Sequence, residues 1–72
     1  MKVNYFPDTD SLYIDLSERP SVESREISDG VVLDYDHAGN LVGIDIDNAS
    51  TKVELATLVV NKLPATVERL AG

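Results

Sequence analysis

"LDYDHAGNLVGIDID", residues 33–47, decides how the fold is read. Apolar and acidic residues alternate on both sides of a central "DHAGN": Leu33 and Tyr35 against Asp34 before it, and Val42, Ile44 and Ile46 against Gly43, Asp45 and Asp47 after it. Alternation with period 2 marks a strand with one buried face, while Asp, Gly and Asn supply the local bonds and backbone angles of a tight loop. The stretch therefore predicts a β-hairpin with strands over 31–35 and 41–47, its register set by the turn.

Working outward toward the N-terminus, the same grammar repeats. "SDG" at 28–30 turns the chain into "VVLDY", and the preceding "SVESREI" at 21–27 is polar and weakly patterned, as an edge strand is. A loop containing Arg19 and Pro20 separates it from "SLYIDLS" at 11–17, where Leu12, Ile14 and Leu16 share one face and Tyr13 and Asp15 the other. "KVNYF" at 2–6 is stopped by Pro7 and the acidic turn "PDTD". Turn signals at intervals of roughly 8 to 12 residues are those of an antiparallel sheet, and a meander is its simplest form.

Beyond Asn48 the pattern changes. "TKVE" at 51–54 matches a capping box, with Thr51 capping the amide of Glu54 and Glu54 reaching back. In "KVELATLVVNKL", Glu54, Thr57 and Asn61 form a narrow polar stripe at helical spacing, leaving Leu55, Ala56, Leu58, Val59, Val60 and Leu63 around most of the circumference. The Val-rich middle of 52–63 also fits a sixth strand, because short apolar runs do not separate the two by period. Pro64 interrupts the segment, and "PATVERLAG" reads as a second short helix fastened by Val67 and Leu70. A helix apolar on two sides needs two covering surfaces, so a homodimer with contacts at Leu55, Leu58, Val59 and Leu63 is expected.

A chain of 72 residues has room for one domain, and folding at this size hides only about 60% of the unfolded surface. There is no cysteine, which excludes disulfides as the source of added stability. No basic-then-apolar leader and no long apolar run is present, so a cytoplasmic protein without membrane contact is expected. The net charge of −7 is uneven: residues 1–50 carry Lys2, Arg19 and Arg25 against 11 acids. Such a balance repels phosphate backbones and argues against nucleic-acid binding.

Two constellations of acids invite a functional reading. "DYDHAG" places Asp34, Asp36 and Gly39 at positions 1, 3 and 6 of a calcium loop and Asp45 at position 12, making these three carboxylates weak metal candidates. Such a loop also needs an oxygen at position 5, usually a bidentate Glu at position 12, and flanking helices, whereas this chain offers Ala38, Asp45 and strands. A hairpin turn is the cheaper explanation, and no metal or other cofactor is assigned. The second constellation is collective: Asp15, Asp34, Asp45 and Asp47 fall opposite the apolar residues of their strands and would form an acidic sheet face. That face fits either a dock for a basic protein or a solvated surface that deters aggregation.

Catalysis finds little footing. His37, the only histidine, sits in the turn, and there is no nucleophile motif, phosphate loop or zinc spacing, so no catalytic residue is assigned. Tyr5, Tyr13 and Tyr35 lack the basic neighbours that base stacking requires and read as core or sheet-surface residues.

"DTDSLYIDLS" followed by "SREISDGVVLDYDHAGNLVGIDIDNAS" resembles the domain of unknown function 2283 family of small bacterial proteins, from about Tyr5 to Ser50. The resemblance rests on an acidic turn before a "LYI" strand, then "DGVVLDYD", a glycine turn and "LVGIDI", in that order. It implies a compact sheet-plus-helix domain with no established activity and no site residues to carry over. It also implies an antitoxin-like or regulatory role as the companion of a small toxin-like protein.

The expectation is thus one α+β domain over 1–72: an antiparallel meander of about five strands within 2–47, followed by one or two helices within 51–71 packed on the sheet. Its expected role is non-enzymatic, through protein contacts with a second copy of itself and with a small basic protein. The alternative is a divalent-metal-binding domain or small hydrolase built on Asp34, Asp36 and Asp45.

Overall fold

Alternation becomes sheet over the whole first part of the chain. The structure, a computed structural model, describes residues 1–59. In it the strands are β1 (Lys2–Phe6), β2 (Ser11–Asp15), β3 (Glu23–Ser28), β4 (Val31–Tyr35) and β5 (Leu41–Ile46), followed by one helical turn, α1 (Ala49–Lys52). All pairings are antiparallel, as expected of an α+β domain that is mostly sheet.

The strand order, β1-β2-β5-β4-β3, departs from a simple meander. A hairpin of β1 and β2 and a meander of β3, β4 and β5 meet where β2 pairs with β5, Leu12 opposite Ile46 and Ile14 opposite Ile44. The connection from β2 therefore travels past β5 and β4 to the far edge of the sheet. Backbone bonds fasten both of its ends, Leu16 N–H to the carbonyl of Val42 (2.9 Å) and Val22 N–H to that of Tyr35 (2.8 Å). Between them Arg19 Nε meets Asp36 Oδ2 at 2.9 Å, tying the crossing segment to the β4–β5 turn.

Register sorts side chains by face, because residues opposite one another in a ladder point the same way. Leu12, Ile46 and Val31 form one cross-strand row and Ile14, Ile44 and Leu33 the next, extended onto β1 by Tyr5 and Val3. This is the apolar face. The deepest apolar burial falls at Leu12, Val42 and Ala49.

The C-terminal reading needs correction. The helix begins two residues before the expected cap and ends at Lys52; Val53 is extended (φ −134, ψ 159), Leu55 and Ala56 form a turn, and 57–59 have no regular structure. Thr51 is not a cap: its Oγ1 donates to the carbonyl of Asn48 at 2.8 Å from inside the turn of helix. The acceptor at the start comes instead from the β1–β2 turn, where Asp10 takes Ser50 N–H (3.1 Å) and Ser50 Oγ–H (2.6 Å) on its carboxylate and Ala49 N–H (2.9 Å) on its carbonyl. At the other end the Lys52 ammonium donates to the carbonyls of Asp29 (2.9 Å) and Asp47 (2.7 Å), and β-branched Val53, Thr57 and Val59 weaken continuation. Neither the long two-sided helix nor a sixth strand is present over 52–59, and Leu55, Leu58 and Val59 are exposed. The expected continuation to Leu63 and the second helix with Val67 and Leu70 lie outside the described residues.

Candidate functional site: an acidic sheet face around Tyr13

The face opposite the apolar rows is built by three adjacent strands. Asp15 of β2 lies opposite Gly43 of β5, Gly43 lies opposite Asp34 of β4, and Asp45 lies between Tyr13 and Val32. Asp47 follows at the end of β5 with the same parity and accepts from Ser11 Oγ at 3.4 Å. The structure thus brings all four expected face carboxylates together, each half-buried by its neighbours. Lys2 stands opposite Asp15 at the sheet edge. Among the described residues the ion pairs are Arg19–Asp36 and Arg25–Glu23, and neither engages these four acids.

Tyr13 organises the centre. Its ring crosses β5 above Gly43, where an added Cβ would meet the ring and hydroxyl and the ring would have to shift. The Tyr13 hydroxyl donates to Asp34 Oδ2 at 2.9 Å, and Ser24 Oγ donates to Asp34 Oδ1 at 2.6 Å. Burial, with the Asp34 bond second, pushes the Tyr13 phenol up to about 12. It therefore stays a neutral donor at physiological pH. Asp45 is shifted upward from the ordinary aspartate range, first by burial and then by the charge and hydrogen bond of Asp47 and the charge of Asp34. Asp45 is thus held in an unfavourable electrostatic arrangement by Asp47 and Asp34, which a cation brought against the face would relieve.

The family model described as Protein of unknown function (DUF2283) matches residues 2–50. The chain belongs to this family. No curated protein and no solved structure matches it. The DUF2283 match takes in all five strands, the four acids and Tyr13, and it ends at Ser50, the residue held by Asp10.

Asp36, also within the DUF2283 match, stands apart from the acidic face. It is 7% exposed, and besides Arg19 it receives Ala38 N–H (3.0 Å) and Asn40 N–H (2.8 Å) on Oδ1 and the Asn40 side-chain amide (3.2 Å) on Oδ2. The Asn40 amide above all, then its side chain, the Ala38 amide and Arg19, lower its pKa against the opposing effect of burial. Gly39, at φ 85, lets the loop close around it. Of the three weak metal candidates, Asp34 and Asp45 share a face while Asp36 spends its oxygens on the turn. Among the described residues no three or more His, Asp or Glu side chains are grouped to hold a metal ion. His37 is exposed in the same turn.

Asp10 is the residue that the sequence reading missed. Besides α1 it accepts the Tyr5 hydroxyl at 2.8 Å, and the bonds from Ser50 Oγ and Tyr5 lower its pKa. Its partner lies 40 residues away, so only the acidic turn "PDTD" hinted at it.

Proposed function

We propose that this DUF2283 chain is a non-enzymatic cytoplasmic protein that acts through protein contacts, docking a small basic protein on its acidic face in an antitoxin-like or regulatory manner and pairing with a second copy of itself. The observation that carries the docking role is the convergence of Asp15, Asp34, Asp45 and Asp47 on one face, without an ion pair to them among the described residues. Complementary charge of this kind speeds encounter and selects among partners. Among the described residues no helix is long and apolar enough to cross a membrane.

The test is native mass spectrometry on protein isolated gently from its own host, beside a variant carrying Asp15→Asn, Asp34→Asn and Asp45→Asn. A small basic protein bound to the wild type, lost from the variant and released by salt is the expected result. Wild type and variant with the same companions, or with none, would remove the docking role. The rival metal reading predicts a higher melting temperature in calcium or magnesium that Asp36→Asn abolishes, and the engagement of Asp36 by four donors gives it no support.

A further inference from the structure

The two edges of the sheet are built differently. β3, at one edge, has a register break between Glu26 and Ser28 and carries Glu23, Arg25 and Glu26, the bulge and charges that deter another strand from pairing. β1, at the other edge, pairs with β2 without a break, and it is the one strand of the five with no acidic residue. Its Val3, Tyr5 and Phe6 are between 42% and 51% exposed.

The backbone of β1 shows which groups face outward. Leu16 N–H bonds across to β5, so Leu12, Ile14 and Leu16 direct their amides and carbonyls that way, and Ser11, Tyr13 and Asp15 direct theirs toward β1. Their partners Phe6, Asn4 and Lys2 are thereby engaged, which leaves the N–H and C=O of Val3 and Tyr5 pointing away from the sheet. Pro7, next in that outward series, has no N–H and ends the ladder.

We infer that β1 is the surface through which two copies of this chain associate, edge to edge and antiparallel about a two-fold axis at Asn4. In that register Val3 of each copy lies opposite Tyr5 of the other, and these are the residues whose backbone groups face outward, so the two narrow pairs close together. Val3 and Tyr5 belong to the apolar face, and a β-branched residue beside an aromatic one is a favourable cross-strand pair. On the opposite face Lys2 comes beside Phe6 of the other copy, ammonium against ring, next to an open cavity of about 320 Å³ lined by Met1, Lys2, Asp15, Leu16, Ser17 and Glu18. The pattern Lys-Val-Asn-Tyr-Phe is self-complementary in this arrangement, and two copies that each carry −7 meet there with no carboxylate on either pairing strand. The inference rests on the dimer of the proposed function and moves its seat from Leu55, Leu58 and Val59 to β1.

Sedimentation of the full chain over a wide range of dilution tests it, with Val3→Pro and Ser24→Pro alongside. Proline at 3 removes an outward donor and spares the ladder to β2; proline at 24 removes an outward donor on β3, where Ser24 faces outward because Arg25 is the residue turned to Leu33, and it also takes the Ser24 hydroxyl from Asp34, a bond that lies away from β1. The wild type should run at twice the chain mass and fall to the chain mass on dilution, and added salt should strengthen the dimer by screening its net charge. Val3→Pro should run at the chain mass with its sheet circular dichroism kept, and Ser24→Pro should still dimerise. A folded Val3→Pro variant that remains dimeric would overturn the β1 interface and leave the dimer standing; a wild type that is monomeric throughout would overturn both. Amide exchange on the wild type decides even where the variant does not fold: protection of Val3 and Tyr5 should fall on dilution while that of Asn4 does not, and an unchanged pattern would overturn the interface.

Discussion

The turns and the acidic face use the same residue type in opposite ways. Asp10 and Asp36 sit in turns, surrounded by hydrogen-bond donors, and their pKa values are lowered. Asp45 sits on a sheet face beside Asp34 and Asp47, and its pKa is raised. An aspartate that receives backbone amides is spent on the fold, whereas one that faces other aspartates keeps its charge available to something outside. The difference separates Asp10 and Asp36, which hold turns, from Asp45 on the candidate binding face, which composition alone cannot do.

The sharpest way to break that distinction is Asp36→Ala. It strands the amides of Ala38 and Asn40 and releases Arg19 from the crossing connection, so its fall in melting temperature should exceed that of Gly43→Ala, Tyr13→Phe or any change to a face acid. A thermal melt in which Asp36→Ala is silent and Asp34→Ala is not would reverse the assignment of roles. Gly43→Ala comes next, because the new methyl drives the Tyr13 ring off β5; a loss of about 1–3 kcal/mol in denaturant titration is expected for such overpacking. Tyr13→Phe keeps the ring and removes the bond to Asp34, for about 1 kcal/mol.

Asp45→Asn is the smallest effect and the one with the opposite sign. A carboxyl whose folded pKa lies above its unfolded value contributes stability that is present at low pH and lost as pH rises through the folded value. Removing the charge should therefore raise the melting temperature slightly at neutral pH and erase the gain that the wild type shows on mild acidification. Asp10 and Asp36 behave conversely: their contribution is present above the ordinary value of 3.8 and is lost as pH falls through their lowered values. A melting temperature that only declines from neutral pH downward, in the wild type and in Asp45→Asn alike, would show that Asp45 is not crowded.

Much of the sheet was readable from residues alone, because each hairpin is specified by what lies within it. Alternation along 31–35 and 41–47 and the Asp36–Asn40 loop are local facts, and the strands formed where they were expected. The strand order was not, since nothing in Leu16–Val22 states which edge that connection will reach. The candidate site shares this limit: alternation assigns Asp15, Asp34 and Asp45 to polar sides of their own strands, but only the placement of β5 between β2 and β4 makes those sides one surface. The start of the helix escapes local sequence for a related reason. "TKVE" is a good local capping signal, and it was overruled by an acceptor supplied from Asp10, far away in the β1–β2 turn.

The seam between β2 and β5 has a kinetic consequence. Each side of it is made of neighbours in sequence, a hairpin on one side and a three-strand meander on the other, which closes quickly because little chain has to be gathered. Joining them requires residues about 30 positions apart to meet, Leu12 with Ile46 and Ile14 with Ile44, at the cost of closing a much longer loop. Zipping of this seam is accordingly the step expected late in folding, with the contact of Asp10 and Ser50 then latching it shut.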